Sequence, residues 1–255
     1  MRVGVNSQYT DINSAQTVLS FYTIAPPSIA VFDCDLHTHS RFFHVDPSVA
    51  AGYDPIGTRL TLAVAKQRGF AGIAVTNHDY FRPETLVGES CLPGIEISTT
   101  EGHLLVIGSD PPTRTRPGEL SPTEAVDLAH NHDCVAIIAH PFRNSMLKES
   151  DAPFDAVEIN GKHPEYRRQV EALAADRGLP IVGGSDAHFP FEVGRVGTRF
   201  ESNRLTVENV VAAIRDGRVE PVFHEGPLLG RLRGIYNRIH RIKGHRPPSN
   251  HSSQQ

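Results

Sequence analysis

Asp35-Leu36-His37-Thr38-His39-Ser40 follows the apolar run Ile29-Ala30-Val31-Phe32, which reads as a short buried strand. Side chains alternate faces along a strand, so His37 and His39 point the same way at its carboxyl end. Two neutral imidazoles converging on one point are the beginning of a metal site.

The same arrangement recurs along the chain. Apolar runs predict strands at 30–36, 72–76, 93–98, 103–108, 135–139, 155–159 and 180–184. Helical patterns between them predict helices at 56–68, 121–132, 164–177 and 206–216. Ser121-Pro122-Thr123-Glu124 is a helix start, with Ser121 as N-cap, Pro122 at the first helical position and Glu124 at the third. Strands alternating with helices argue for a largely parallel sheet, and about seven of them in this length argue for a barrel. In such barrels functional residues sit at the carboxyl ends of strands. Here the strand ends carry His37 and His39, then Asn77-His78-Asp79, Glu96, His140-Pro141, Glu158-Ile159-Asn160, and Ser185-Asp186-Ala187-His188. His103 opens a strand of its own.

The chain has 255 residues, 39% hydrophobic and 21% charged, as in a soluble globular protein with room for a sizeable core. Charge is unevenly placed. Gly226–Gln255 holds six Lys/Arg and no acid, which leaves 19 basic against 29 acidic residues in the remainder. Cys34, Cys91 and Cys134 have neither a zinc-ribbon spacing nor an even count, so no disulfide framework follows. They suit a reducing compartment. No run approaches the roughly 18 apolar residues of a membrane span, and no signal peptide is read at the N-terminus. The expected location is the cytoplasm.

The series Asp-Leu-His-Thr-His-Ser, Asn-His-Asp, Gly-Ile-Glu, His103, Ala-His-Pro and Gly-Ser-Asp-Ala-His resembles the polymerase-and-histidinol-phosphatase (PHP) family of metal-dependent phosphoesterases. The motifs occur in that family's order and span residues 33–188. The resemblance implies a distorted (β/α)7 TIM-like barrel with two or three divalent ions (Mn, Zn or Fe) at the strands' carboxyl ends. It implies that His37, His39, Glu96 and Asp186 hold a first ion, and that Glu96 bridges to a second bound also by His103 and His140. His78 and His188 would hold a third. The loop ligand to that third ion is less plain, because Arg41-Phe42-Phe43-His44-Val45-Asp46 departs from the family's Ser-Asp-Gly; His44 is chosen, with Asp46 as the alternative. The implied activity is hydrolysis of a phosphate monoester or diester of a small metabolite or nucleotide by metal-bound hydroxide. No Gly-x-Ser-x-Gly nucleophile occurs.

Glu96 and Asp186 are the catalytic carboxylates of this reading. Arg143, three residues beyond His140, is the candidate clamp on substrate phosphate, because guanidinium matches phosphate in a bidentate fork. Asp35 and Asp79 read as groups that orient histidines. Lys162, His163, Arg195 and Thr198 read as loop residues with an ambiguous claim on substrate. His130, His132, His224, His240, His245 and His251 read as surface or helix positions.

Two other readings stand beside the phosphoesterase. An amidohydrolase-like enzyme would share the His-x-His opening, but many of its two-metal members use a carboxylated strand lysine, and no lysine falls in a predicted strand. A nucleic-acid-processing protein could use the basic segment 226–243, where Leu229, Leu232, Ile235, Tyr236, Ile239 and Ile242 recur at helical spacing. The favoured role of that segment is packing on the barrel or on a second subunit, and nucleic acid is the less favoured partner. The chain thus divides into an N-terminal arm at 1–28, a catalytic barrel at 29–225, the basic helix at 226–243 and a disordered tail at 244–255.

Overall fold

A computed structural model describes residues 28–41 and 47–224. The N-terminal arm up to residue 27, His44, Asp46, the basic helix and the tail lie outside the described residues. Among them the chain runs β1 (Ala30–Thr38), α1 (Pro47–Gln67), β2 (Gly72–His78), β3 (Cys91–Ser98), β4 (His103–Ile107), α2 (Pro122–Asn131), β5 (Val135–Ile138), β6 (Ala156–Asn160), α3 (Arg167–Arg177), β7 (Ile181–Gly184), β8 (Val196–Ser202), α4 (Val207–Arg215) and β9 (Val219–Phe223), with four short 3-10 turns between them.

The nine strands form one sheet in the order β7-β6-β5-β4-β3-β2-β1-β8-β9. The sheet curls until β7 packs beside β1, β8 and β9. At that seam the His39 N–H donates to the Ala187 carbonyl at 2.8 Å, and the Ala187 N–H donates to the His37 carbonyl at 3.3 Å. Buried Thr198 ties β8 to β7, its hydroxyl accepting from the Gly183 N–H at 2.8 Å and donating to the Gly183 carbonyl at 2.9 Å. Thr198 therefore closes the barrel and takes no part in the site.

The result is a nearly closed, mixed α/β barrel. The seven expected strands are all present, but the sheet is not largely parallel. β3–β4, β4–β5, β1–β8 and β8–β9 are antiparallel pairs. A four-residue link between Ser98 and His103 allows only a hairpin, since a parallel crossover needs a dozen residues or more. β8 and β9 were not expected. β8 buries Val196, Gly197, Thr198 and Phe200, and β9 carries Pro221, tolerated because β9 lies at the sheet edge. Helix α1 begins at Pro47 and continues through Pro55, whereas the sequence pattern starts it after the second proline.

Both faces of the sheet are covered. On β4, Leu105 and Ile107 join the interior cluster, while Leu104 and Val106 face the cluster that includes Ala125, Val126 and Ala129 of α2. The expected cap on α2 is present: the Ser121 hydroxyl accepts from the Glu124 N–H at 3.3 Å, and the Glu124 carboxylate accepts from the Ser121 N–H at 2.9 Å. Val210, Val211 and Ile214 of α4 pack with Leu92, Ile107, Val135 and Ala156 inside the barrel. These are the strand ends remote from the histidines, so α4 plugs that end.

Candidate metal centre

The inward face of each strand that is apolar at the plugged end becomes ligand-bearing at the other. Along β2 the series is Ala74, Thr76, His78; along β3 it is Leu92, Gly94, Glu96; along β6 it is Ala156, Glu158. Because β4 runs antiparallel, its first residue, His103, lies at the same rim as the last residues of its neighbours. The register between β1 and β2 shifts between Asp35 and Thr38, where His37 sits. His140 and Asp186 have φ of 29° and 52°. Such left-handed backbone is costly for residues with a Cβ, and here it occurs at two side chains aimed into the centre.

Glu96 is the hub and is fully buried. Its Oε2 lies 3.2 Å from His37 Nε2, 3.3 Å from His39 Nε2 and 3.1 Å from His78 Nδ1. Its Oε1 lies 2.7 Å from His103 Nδ1 and 3.2 Å from His140 Nε2. One carboxylate thus stands between two groups of imidazoles, one on each oxygen. Asp186 Oδ1 is 3.4 Å from His39 Nε2 and 3.3 Å from His188 Nδ1. Atoms bound about 2.1 Å from one ion lie roughly 3.0–3.4 Å from each other, the spacing found here. Among the described residues, three triplets have donor atoms close enough to share an ion: His37/His39/Glu96, His78/Glu96/His103 and His39/His78/His188. The His39 Nε2 atom is buried and makes no hydrogen bond, although carboxylate oxygens surround it. A buried lone donor atom in a ring of other donor atoms suits a cation.

The electrostatics of the metal-free cluster point the same way. Burial alone would push Glu96 up, but the imidazoles of His78 and His37 and hydrogen bonds from His103 and His140 hold it well below the usual carboxylate range. Asp186 is likewise low despite burial, chiefly through Lys162 and His37. His37 is raised well above an ordinary histidine because Glu158, Glu96 and Asp186 together outweigh its desolvation. His39 and His78 are pushed down by burial, His78 to about 4. The anionic carboxylates thus face two imidazoles held neutral, His39 and His78, and hold protons on two others, His37 and His103, where a bound cation would take the protons' place.

Two residues noted in the sequence take roles in the site that the sequence reading did not assign. Glu158, fully buried, accepts from His37 Nδ1 at 2.8 Å with one oxygen. Its other oxygen accepts from the His140 backbone N–H at 2.9 Å and from Asn160 Nδ2 at 3.1 Å. An acid inside the apolar strand Ala156–Asn160 was the available signal. Lys162 is no solvated loop residue: its side chain is 8% exposed and its ammonium reaches Asp186 Oδ1 at 3.1 Å and His188 Nδ1 at 2.9 Å. Nothing in its spacing announced this.

Other expectations need correction. Asp35 and Asp79 orient no imidazole. Asp35 is fully buried and accepts three backbone N–H groups, from His37 at 3.2 Å, Ser185 at 2.9 Å and Gly194 at 2.7 Å, so it fixes the main chain on both sides of the seam. Burial still raises its pKa to about 6. Asp79 accepts from the Ser98 N–H at 2.9 Å and the Thr115 hydroxyl at 2.9 Å, holding loops. Arg143 does reach the mouth, Nη1 lying 3.3 Å from Asp186 Oδ2 with the side chain 46% exposed. His163 pairs with Glu165 at 3.4 Å. His130 pairs with Asp155 and His132 with Asp110, away from the centre.

Comparison with known proteins agrees with this architecture. A family model described as PHP-associated matches residues 164–219. No curated protein matches the chain. Among solved structures, PsfC from Pseudomonas syringae PB-5123 is similar with a TM-score of 0.63 and 20% identity, over 82% of this chain and 99% of that one. A two-domain protein from Bacteroides vulgatus ATCC 8482, containing a predicted PHP-like metal-dependent phosphoesterase, gives a TM-score of 0.55 and 20% identity over 81% of this chain and 70% of that one. Endonuclease Q, in complex with a 27-mer duplex bearing an abasic lesion, gives 0.52 and 19% identity over 73% of this chain and 57% of that one. At these identities the likeness is one of fold.

Proposed function

We infer that the chain is a PHP-type, metal-dependent hydrolase of phosphate esters, a reading supported by the PHP-associated match over residues 164–219 and by the shared fold. The observation that carries this is Glu96, whose two oxygens divide five histidines between them at 2.7–3.3 Å. His37, His39, Glu96 and Asp186 would hold one divalent ion, and Glu96, His103 and His140 a second. His, Asp and Glu donors of this kind serve manganese, zinc or iron. When bound, such ions supply Lewis acidity, lowering the pKa of water and neutralising phosphoryl oxygens.

The chain's own residues prepare that chemistry. Glu158 holds the proton of His37 on Nδ1, leaving Nε2 as the donor atom that faces Glu96. Arg143 has further N–H donors beyond the one on Asp186, and can turn them to a phosphate oxygen at the half-exposed mouth. His37, His39, Glu96 and Asp186 are buried, so the floor excludes bulk water.

The substrate we favour is a small phosphorylated metabolite or nucleotide. The fold likeness to Endonuclease Q keeps a nucleic-acid phosphodiester as the second reading. An amidohydrolase reading is disfavoured because Lys66, Lys148 and Lys162 all lie outside strands, leaving Glu96 as the bridging group. A cytoplasmic location is consistent with three buried, unpaired cysteines. No helix among the described residues is long and apolar enough to cross a membrane.

The test is metal content of the purified chain together with hydrolysis of an aryl phosphate and its diester, before and after chelation. Bound ions and a turnover lost on chelation and restored by metal are expected. Turnover that persists without metal would overturn the reading, and the ratio of monoester to diester rates narrows the substrate.

A further inference from the structure

The turn after β6 is clamped on both sides before it presents Lys162. The Gly161 N–H donates to the Gly184 carbonyl at 2.8 Å, and the Lys162 N–H donates to the Asn160 side-chain oxygen at 2.9 Å. Gly161 is needed there, since a Cβ would lie 3.1 Å from both Ser185 Cα and Arg195 Cβ. From this fixed base the side chain runs inward and places its ammonium between Asp186 Oδ1 and His188 Nδ1 at 3.1 and 2.9 Å. Those two atoms are themselves 3.3 Å apart, the separation of two donors round one ion. His188 Nδ1 also lies 3.1 Å from the Asp186 carbonyl, which helps fix the ring in this position.

His188 is one corner of the His39/His78/His188 triplet. A cation drawn to that triplet and to Asp186 meets an ammonium already on His188 and Asp186, its side chain nearly buried and with little water to screen it. The lysine ammonium offers three donors and no acceptor to turn towards an incoming ion. Arg143 occupies the other oxygen of Asp186, so two side-chain cations already share this carboxylate before any ion is added.

We propose that Lys162 is the third cation of the centre: its ammonium, set between Asp186 and His188, stands in place of a third metal ion, and the chain holds two ions. The proposal rests on the metal-dependent reading above. It makes Lys162 a fixed positive charge beside the two ions, positioned to face substrate phosphate where a third ion would otherwise do so.

The experiment is a Mn2+ titration of the metal-stripped full chain, read as ions per chain by native mass spectrometry and by equilibrium dialysis. Two ions are expected for the wild type, three for Lys162→Met, and two for Lys162→Arg, which keeps the charge. Lys162→Gln is a second neutral variant should Lys162→Met fail to fold, and circular dichroism reports folding for each. Three ions in the wild type, or two in a folded neutral variant, would overturn the proposal. No Mn2+ bound by any form would instead remove the metal reading itself, and this proposal with it.

Discussion

Glu158→Gln is the sharpest perturbation of this centre, because it changes one atom type at a residue that touches no open space. The carboxylate accepts on both oxygens: His37 Nδ1 on one, the His140 N–H and Asn160 Nδ2 on the other. A glutamine has only one acceptor end. If its oxygen faces His37, its NH2 group opposes two donors. If it turns the other way, its NH2 faces His37 Nδ1, which must then accept, and the ring proton moves to Nε2, towards Glu96. The first arrangement leaves buried donors unpaired at about 1–3 kcal/mol, and the second removes His37 as a ligand. A partner that orients a metal-bound histidine is worth roughly 10–100-fold in metal affinity. We therefore expect Mn2+ or Zn2+ affinity, measured by competition with a chromophoric chelator, to fall by about that factor. The metal-free protein should also melt lower, by about 2–4 °C for each kcal/mol lost. Affinity within about threefold of wild type, with an unchanged melting temperature, would refute the role given to Glu158.

Three further outcomes are expected. Arg143→Ala should raise KM for an aryl phosphate by roughly tenfold or more, the value of a charged hydrogen bond, while leaving metal content unchanged; lost metal would instead mark Arg143 as a support of Asp186. Burial holds His78 near 4, so between pH 6.5 and 4 the unfolded chain takes up a proton that the folded chain refuses, and stability falls as pH falls through that window. Denaturant unfolding of metal-stripped protein should accordingly show a smaller loss between pH 6.5 and 4.5 in His78→Gln than in wild type, by on the order of 1–2 kcal/mol; an equal loss contradicts it. Gly184→Ala would bring a Cβ to 2.4 Å from His37 Cβ and 2.5 Å from Glu158 Oε1, and such overpacking costs about 1–3 kcal/mol, to be read as a lower melting temperature with weakened metal binding.

What the sequence disclosed follows from what kind of information each feature needs. His37, His39, His78, Glu96, His140 and Asp186 were legible because each ends or closes an apolar run, and strand ends of a barrel share a rim. Their grouping about Glu96 was available only through the family resemblance. The antiparallel β3–β4–β5 run was misjudged because apolar periodicity reports a strand without its direction; the short link from Ser98 to His103 held that information. β8 was hidden by its polar outward face, Arg199 and Glu201 masking the buried Val196, Thr198 and Phe200. Lys162 was read as a loop residue with an ambiguous claim on substrate, and its place on Asp186 was hidden for a different reason. Its meeting with Asp186 and His188 joins residues 24 and 26 positions apart, and only the clamped turn after β6 decides that it points inward.

The seam between β1 and β7 has a consequence for how the molecule assembles. Glu96 and His103 sit on one hairpin and can come together as soon as that hairpin forms. His37 and His39 meet Asp186 and His188 only when chain separated by some 150 residues has been brought round, as in the contact between Asp35 and the Ser185 N–H. Contacts so remote in sequence are slow to form, because loop closure precedes their reward. One half of the centre is thus local and early, the other global and late. An ion bridging His39 and Asp186 would act as a rivet across the last joint to close, and its removal should show first as opening of that joint, in faster hydrogen exchange at the His39 and Ala187 amides than elsewhere in the barrel.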